Sequence, residues 1–178
     1  NRTLAQGVIE NSRVQGVFED ASTPEQARVR HAESGMVCVM PSDGAFQLEV
    51  FPPGARNEGA ACTRADGGVA FTLMAMRFDH PVSLDQAFNE GVAMSARLEG
   101  VSPWNGAPSP ADAEIGDRDR VIRMTGRVNG QEVYLRIAMS EANGWFVQQL
   151  VFAPVAAAET AERAAGDDWR SALSQFAH

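Results

Sequence analysis

Apolar positions along the chain switch between alternating and helical spacing, and each switch marks an element. Residues 2–12, RTLAQGVIENS, put Leu4, Val8 and Ile9 on one face of a short helix, and VQGVFED then runs extended. STPEQ reads as a turn. ARVRHA sets Val29 between charged neighbours, the pattern of an edge strand that leaves His31 exposed. GMVCVM is a strand, and PSDG is a turn with Pro, Asp and Gly where turn chemistry wants them. AFQLEVF alternates, with Phe46, Leu48 and Val50 facing one way and Gln47 and Glu49 the other. A loop over 52–59 leads to the short strand AACT, the turn RADGG and the long strand VAFTLMAMRF. That strand is apolar on both faces, which places it centrally in a sheet covered on each side.

A helix starts at Ser83, with Gln86 three residues on at capping-box spacing. Leu84, Phe88, Val92, Ser95 and Leu98 follow at helical steps, and Gly100 stops the run. Residues 101–117, VSPWNGAPSPADAEIGD, read as a long loop holding Trp104 and three of the nine prolines, and loops of that length are functional or disordered. In RVIRMTGRVNGQEVYLRIAMS, Asn129-Gly130 is the type I′ hairpin pair. A two-residue turn there sets Val128 opposite Gln131, Arg127 opposite Glu132, Met124 opposite Leu135 and Ile122 opposite Ile137. Asn143-Gly144 returns the chain into a third strand, WFVQQLVFA. From Val155 to Ala177 a closing helix carries the stripe Ala161, Ala165, Trp169, Leu173 and Phe176. Gly166 inside it costs about 1 kcal/mol relative to Ala and marks a place where the helix could break. The order predicts an α+β fold. An antiparallel sheet of about six to seven strands packs between helices, one of them C-terminal, in a single domain over residues 1–178.

Composition narrows the function. The net charge of −8 repels phosphate backbones, so nucleic acid is not an expected partner. The longest apolar runs are too short to span a bilayer. All 15 cationic side chains are Arg, which excludes Schiff-base and P-loop lysine chemistry. The chain begins at Asn1 rather than Met, as expected of a product whose secretory signal has been removed, and a lipid attachment site before residue 1 stays open.

Cys38 and Cys62 lie too far apart for a C-x-x-C redox motif and are too few for a thiolate zinc site. A structural disulfide is the reading preferred over two buried thiols or a catalytic cysteine, and it implies a periplasmic or extracellular location. His80 follows Asp79 but precedes Pro81, so it reads as a boundary residue in extended chain that its neighbour cannot readily orient. His178 is the remaining histidine. Asp167, Asp168, Glu159 and Glu162 read as the solvated face of the closing helix. No phosphate loop or nucleophile elbow is present, and neither cofactor nor metal is expected.

The hairpin register puts Arg123 opposite Arg136 on one face, with Arg127 beside them. Like charges there need neutralising, by a bound anion, by carboxylates of the same protein, or by exposure with the guanidinium groups splayed apart. Trp104 is either a partner contact or a cap folded back on the core.

The helix after FDHPVSLDQAF, the meander VIRMTGRVNGQEVYLRIAM to GWFVQQLVFAP, and the closing DDWRSALSQF resemble the PsbP-like fold. That resemblance implies an antiparallel sheet between helices over the second half and carries over no functional residue. The first half, with HAESGMVC and GAAC, resembles small secreted proteins of Gram-negative bacteria of unknown function. With no clustered histidines and no lysine, the sequence favours an exported, non-catalytic binding or assembly module over an enzyme. The alternatives are a carrier of a small anionic or apolar ligand and, third, an enzyme using paired carboxylates.

Overall fold

A computed structural model describes residues 1–51, 57–94, 97–114 and 116–176. Helix α1 (Arg2–Asn11) precedes strands β1 (Phe18–Asp20), β2 (Arg28–His31), β3 (Val37–Val39), β4 (Ala45–Phe51), β5 (Asn57–Asp66) and β6 (Val69–Phe78). Helix α2 (Leu84–Met94) leads to β7 (Glu99–Pro103), a 3-10 turn (Pro110–Glu114), and β8 (Asp119–Val128). Strands β9 (Gln131–Ala142) and β10 (Trp145–Pro154), a second 3-10 turn (Val155–Ala157) and helix α3 (Ala158–Ser174) complete the order. The fold is α+β with antiparallel sheets. β1-β2-β3 form a small sheet, and the large one runs β4-β5-β6-β10-β9-β8-β7.

The hairpin register is the one that the two-residue turn dictates, from Val128 opposite Gln131 to Ile122 opposite Ile137. Asn129 and Gly130 take φ of 51° and 79°, the left-handed pair a type I′ turn needs. Asn143 and Gly144 repeat it before β10. The capping box closes in both directions. Ser83 N–H donates to Gln86 Oε1 at 2.9 Å, and Gln86 N–H donates to Ser83 Oγ at 3.2 Å. Ser95, expected on the helix stripe, and His178 lie outside the described residues, as do 52–56 of the expected loop.

Several expectations are corrected. β2 is the middle strand of the small sheet, not an edge. His31 on it is only 3% exposed. Its Nδ1 accepts the backbone N–H of Ser34 at 3.3 Å and lies 2.8 Å from Ser34 Oγ, and its ring meets Trp145 edge-on at 5.4 Å. Leu4 is 51% exposed and Ala5 takes the buried position on α1. AACT is part of the ten-residue β5, paired along its length with β6 and over Gly59–Ala65 with β4. Residues 99–103 form an edge strand rather than loop.

The two faces of the large sheet are covered unequally. On one face lie α3, α1 and the small sheet, around Trp169, Phe176, Val29, Met36, Phe18 and the side chains of Ala60, Leu73, Ala75 and Val147. Among the described residues the other face carries only α2, packed on Met76, Met139, Phe146 and Leu135. Seven strands about 4.8 Å apart make a face roughly 30 Å wide. A helix of 11 residues is only about 16 Å long and about 10 Å across. Much of the α2 face is therefore left without a helix over it.

Candidate functional site

The uncovered part of that face is an apolar cleft. Its volume is about 500 Å3, and it is open to solvent. Alternation in each strand supplies the walls. β6 gives Met74, Met76 and Phe78, β10 gives Leu150 and Phe152, and Leu135, Val128 and Phe51 extend it to β9, β8 and β4. Ala87, Glu90 and Gly91 of α2 form one side, and Arg97 and Leu98 follow the helix at the rim. Gln148 is the polar group on the floor and is buried. A Cβ on Gly91 would come within 3.0 Å of Gln148 Oε1, so the glycine lets α2 approach this amide. Met76, Leu135, Ala87 and Gln148 are buried, which makes the cleft deeper than a flat apolar patch.

The opposite face holds a buried charge cluster. Arg123 and Arg136 stand opposite each other in the hairpin. Arg136 has no exposed surface and Glu162 is 1% exposed. Arg136 donates from Nη1 to Asp112 Oδ2 at 2.7 Å and from Nη2 to Asp112 Oδ1 at 2.9 Å, a forked pair. Nη1 also reaches Glu162 Oε1 at 3.0 Å, and Nε donates to Gln149 Oε1 at 3.2 Å. Arg123 donates from Nε to Glu162 Oε1 at 2.7 Å and from Nη2 to Asp112 Oδ2. The Tyr134 hydroxyl donates to Glu162 Oε2, and the backbone N–H of Ser109 donates to Oε1 at 2.9 Å.

Two guanidinium groups therefore meet two carboxylates of the same chain, and of the three ways of neutralising them this is the one observed. Arg127 stands on that face at the hairpin end, exposed and opposite Glu132. Glu162, expected in solvent, is one of the most buried side chains, because the strand face beneath α3 is cationic there. Burial raises Asp112, but the hydrogen bonds and charge of Arg136, then Arg123, outweigh it and hold the carboxyl below its ordinary range. Burial and the neighbouring Glu162 push the Tyr134 hydroxyl well up.

Trp104 belongs to this side. It is half-buried and meets Tyr134 edge-on at 5.0 Å, so the indole packs back against the core. The segment carrying Asp112 crosses α3 at Gly166, whose absent side chain matters. A Cβ there would fall 2.1 Å from Ser109 Oγ. The helix runs unbroken through Gly166, and the residue serves close approach instead of a break. Gly166→Ala should therefore destabilise by about 1–3 kcal/mol, although Ala is the better helix former. Thermal unfolding reads this directly, and a raised Tm would show that the approach is not constrained.

Cys38 of β3 and Cys62 of β5 are joined, which ties the small sheet to the large one. His80 Nδ1 lies 2.5 Å from Asp79 Oδ1, so neighbouring residues do reach each other where the strand has ended, but both are exposed. Among the described residues no group of three or more His, Cys, Asp or Glu is placed to hold a metal ion. Sequence reasoning missed Asp112 and Glu162 as partners of the arginines, and it missed the cleft walls. The signal for the walls was available in the apolar even-numbered positions of WFVQQLVFA, which are more numerous than one short helix can cover.

No family model matches the chain, and no curated protein matches it. A solved structure of a protein of unknown function from Pseudomonas aeruginosa is similar at 14% identity, over 88% of this chain and 96% of that one, with a TM-score of 0.38. LpqN, involved in cell envelope biogenesis of Mycobacterium tuberculosis, is similar at 13% identity, over 90% of this chain and 91% of that one, with a TM-score of 0.38. Neither likeness is close enough to carry a function across, and neither shows the PsbP-like fold.

Proposed function

We propose that the protein is an exported, non-catalytic binding protein that holds a small apolar ligand in the cleft between α2 and the large sheet. The observation that carries this reading is the cleft itself, about 500 Å3 with apolar walls, within the range of small-molecule sites. A depth lined by buried side chains suits a slender ligand better than the flat face of a protein partner. The buried ionisable cluster of Asp112, Glu162, Arg123 and Arg136 lies on the other face, where its charges satisfy one another. The bridged cysteines support a periplasmic or extracellular setting, since disulfides persist in oxidising compartments.

The test is binding of the neutral fluorophore N-phenylnaphthylamine, whose emission rises in apolar surroundings. Leu150→Arg puts a charge into the cleft from a half-buried position and should weaken binding by at least about tenfold. Val101→Arg, at an exposed position on edge strand β7, should leave binding unchanged. Equal binding by wild type and Leu150→Arg would place the fluorophore elsewhere and remove the support for this reading.

A further inference from the structure

We infer that the ligand is an amphiphile with one negatively charged head and an unbranched hydrocarbon tail, and that Arg97 receives the head. The inference rests on the cleft being a ligand site. It adds the chemical class and the residue that selects it.

The shape argues for the tail. The cleft runs across the sheet from Val128 on β8 to Phe51 on β4, with Leu135, Leu150 and Met74 between. Val128 lies level with Gln131 of β9 and Phe51 with Glu141, so the path runs diagonally, five strands across and ten residues along. An elongated apolar floor of that reach suits one extended hydrocarbon chain.

Charge argues for the head. Arg97 is the one cation among the described residues that line the cleft, and it is exposed at the rim. Its neighbour Leu98 sits on Gly126 of β8 so closely that a Cβ there would be 2.9 Å from Leu98 Cβ. Acidic side chains outnumber basic ones 23 to 15, and Arg64, Arg77 and Arg120 are each held by carboxylates. Arg97 makes no ion pair or hydrogen bond with any described residue. Among the described residues Arg13, Arg118 and Arg163 are also exposed and make no ion pair, but none of them lines the cleft. A carboxylate or phosphate there can take a forked pair of hydrogen bonds while its tail lies along the apolar floor.

Two competing roles are open to test. Arg97 could merely offset the negative end of α2, whose last turn has no basic residue of its own. Glu90, also on the wall, could instead select a cationic head. The experiment measures displacement of N-phenylnaphthylamine by laurate, lauryl phosphate, lauryl alcohol and dodecylamine, from wild type and from Arg97→Gln. Wild type should bind laurate or lauryl phosphate about tenfold or more tightly than the alcohol. Whichever anion is tighter identifies a fatty carboxylate or a phosphate head.

Arg97→Gln should bring both anions down to the alcohol's affinity and leave the alcohol and the fluorophore unchanged. Equal affinity for anion and alcohol in wild type, an anion preference that survives Arg97→Gln, or preference for the amine would each overturn the inference while leaving the cleft as a binding site. Failure of the fluorophore and of every competitor to bind wild type would overturn the cleft reading itself.

Discussion

Arg136→Met should lower the unfolding free energy by about 3–5 kcal/mol, the cost of leaving buried carboxylates without their main partner. Arg136 is fully buried and supplies both prongs of the pair with Asp112, a bond to Glu162 and a bond to Gln149. Without it, only Arg123 remains against two carboxylates that α3 and the Pro110–Glu114 turn keep from water. Chemical denaturation of the wild type and variant measures the loss, and a change under about 1 kcal/mol would mean that water or Arg123 compensates fully. Asp112→Asn in the Arg136→Met background should cost much less than it does alone, because the two act as one unit.

The same cluster sets an acid limit. Asp112 has a folded pKa below its unfolded value, so its contribution is complete above the ordinary aspartate range near pH 3.9 and is lost as pH falls through the folded value. Wild type should thus lose stability more steeply below about pH 4 than the Arg136→Met variant does.

The sequence disclosed the parts of this fold that depend on local chemistry. Asn129-Gly130 has one good turn type, so the register of the β8–β9 hairpin, and with it the confrontation of Arg123 and Arg136, follows from two residues. Ser83 and Gln86 likewise declare the start of α2 by a contact made within four residues. What stayed hidden depends on distant segments meeting. Glu162 carries the same charge in solvent or in the core, and only the docking of α3 over Arg136 decides which. Asp112 sits in a proline-rich stretch whose pattern says loop, and its role depends on Gly166 letting that stretch lie close to the helix. His31 reads as an edge residue because the third strand of the small sheet is only three residues long. The cleft is a mismatch of areas, legible only when the widths of sheet and helix are compared.

Removing the bridge, as Cys38→Ser with Cys62→Ser or by reduction, should cost about 3–4 kcal/mol, the loop-closure entropy for 24 residues in the chain-entropy model. Both cysteines are buried, so the serine pair adds the cost of hydroxyls placed in an apolar site and the Cys→Ala pair gives the cleaner value. The loss should not be uniform. β4–β5 is held to β6 by a full ladder, whereas among the described residues β1-β2-β3 makes no ladder with the large sheet. The covalent link runs from β3 to β5, so the small sheet and α1 should lose protection first, while the hairpin, β10 and α2 keep theirs. Hydrogen exchange resolved by segment would show fast exchange at Arg28–His31 and Val37–Val39, with slow exchange retained at Leu135–Met139. Uniform acceleration instead would show that the two sheets open together and that the bridge acts on the whole chain. The cleft lies on the far face of the large sheet, so N-phenylnaphthylamine binding should survive removal of the bridge at temperatures where the variant stays folded. Loss of binding in a folded variant would mean that the small sheet helps to shape the cleft through the sheet between them.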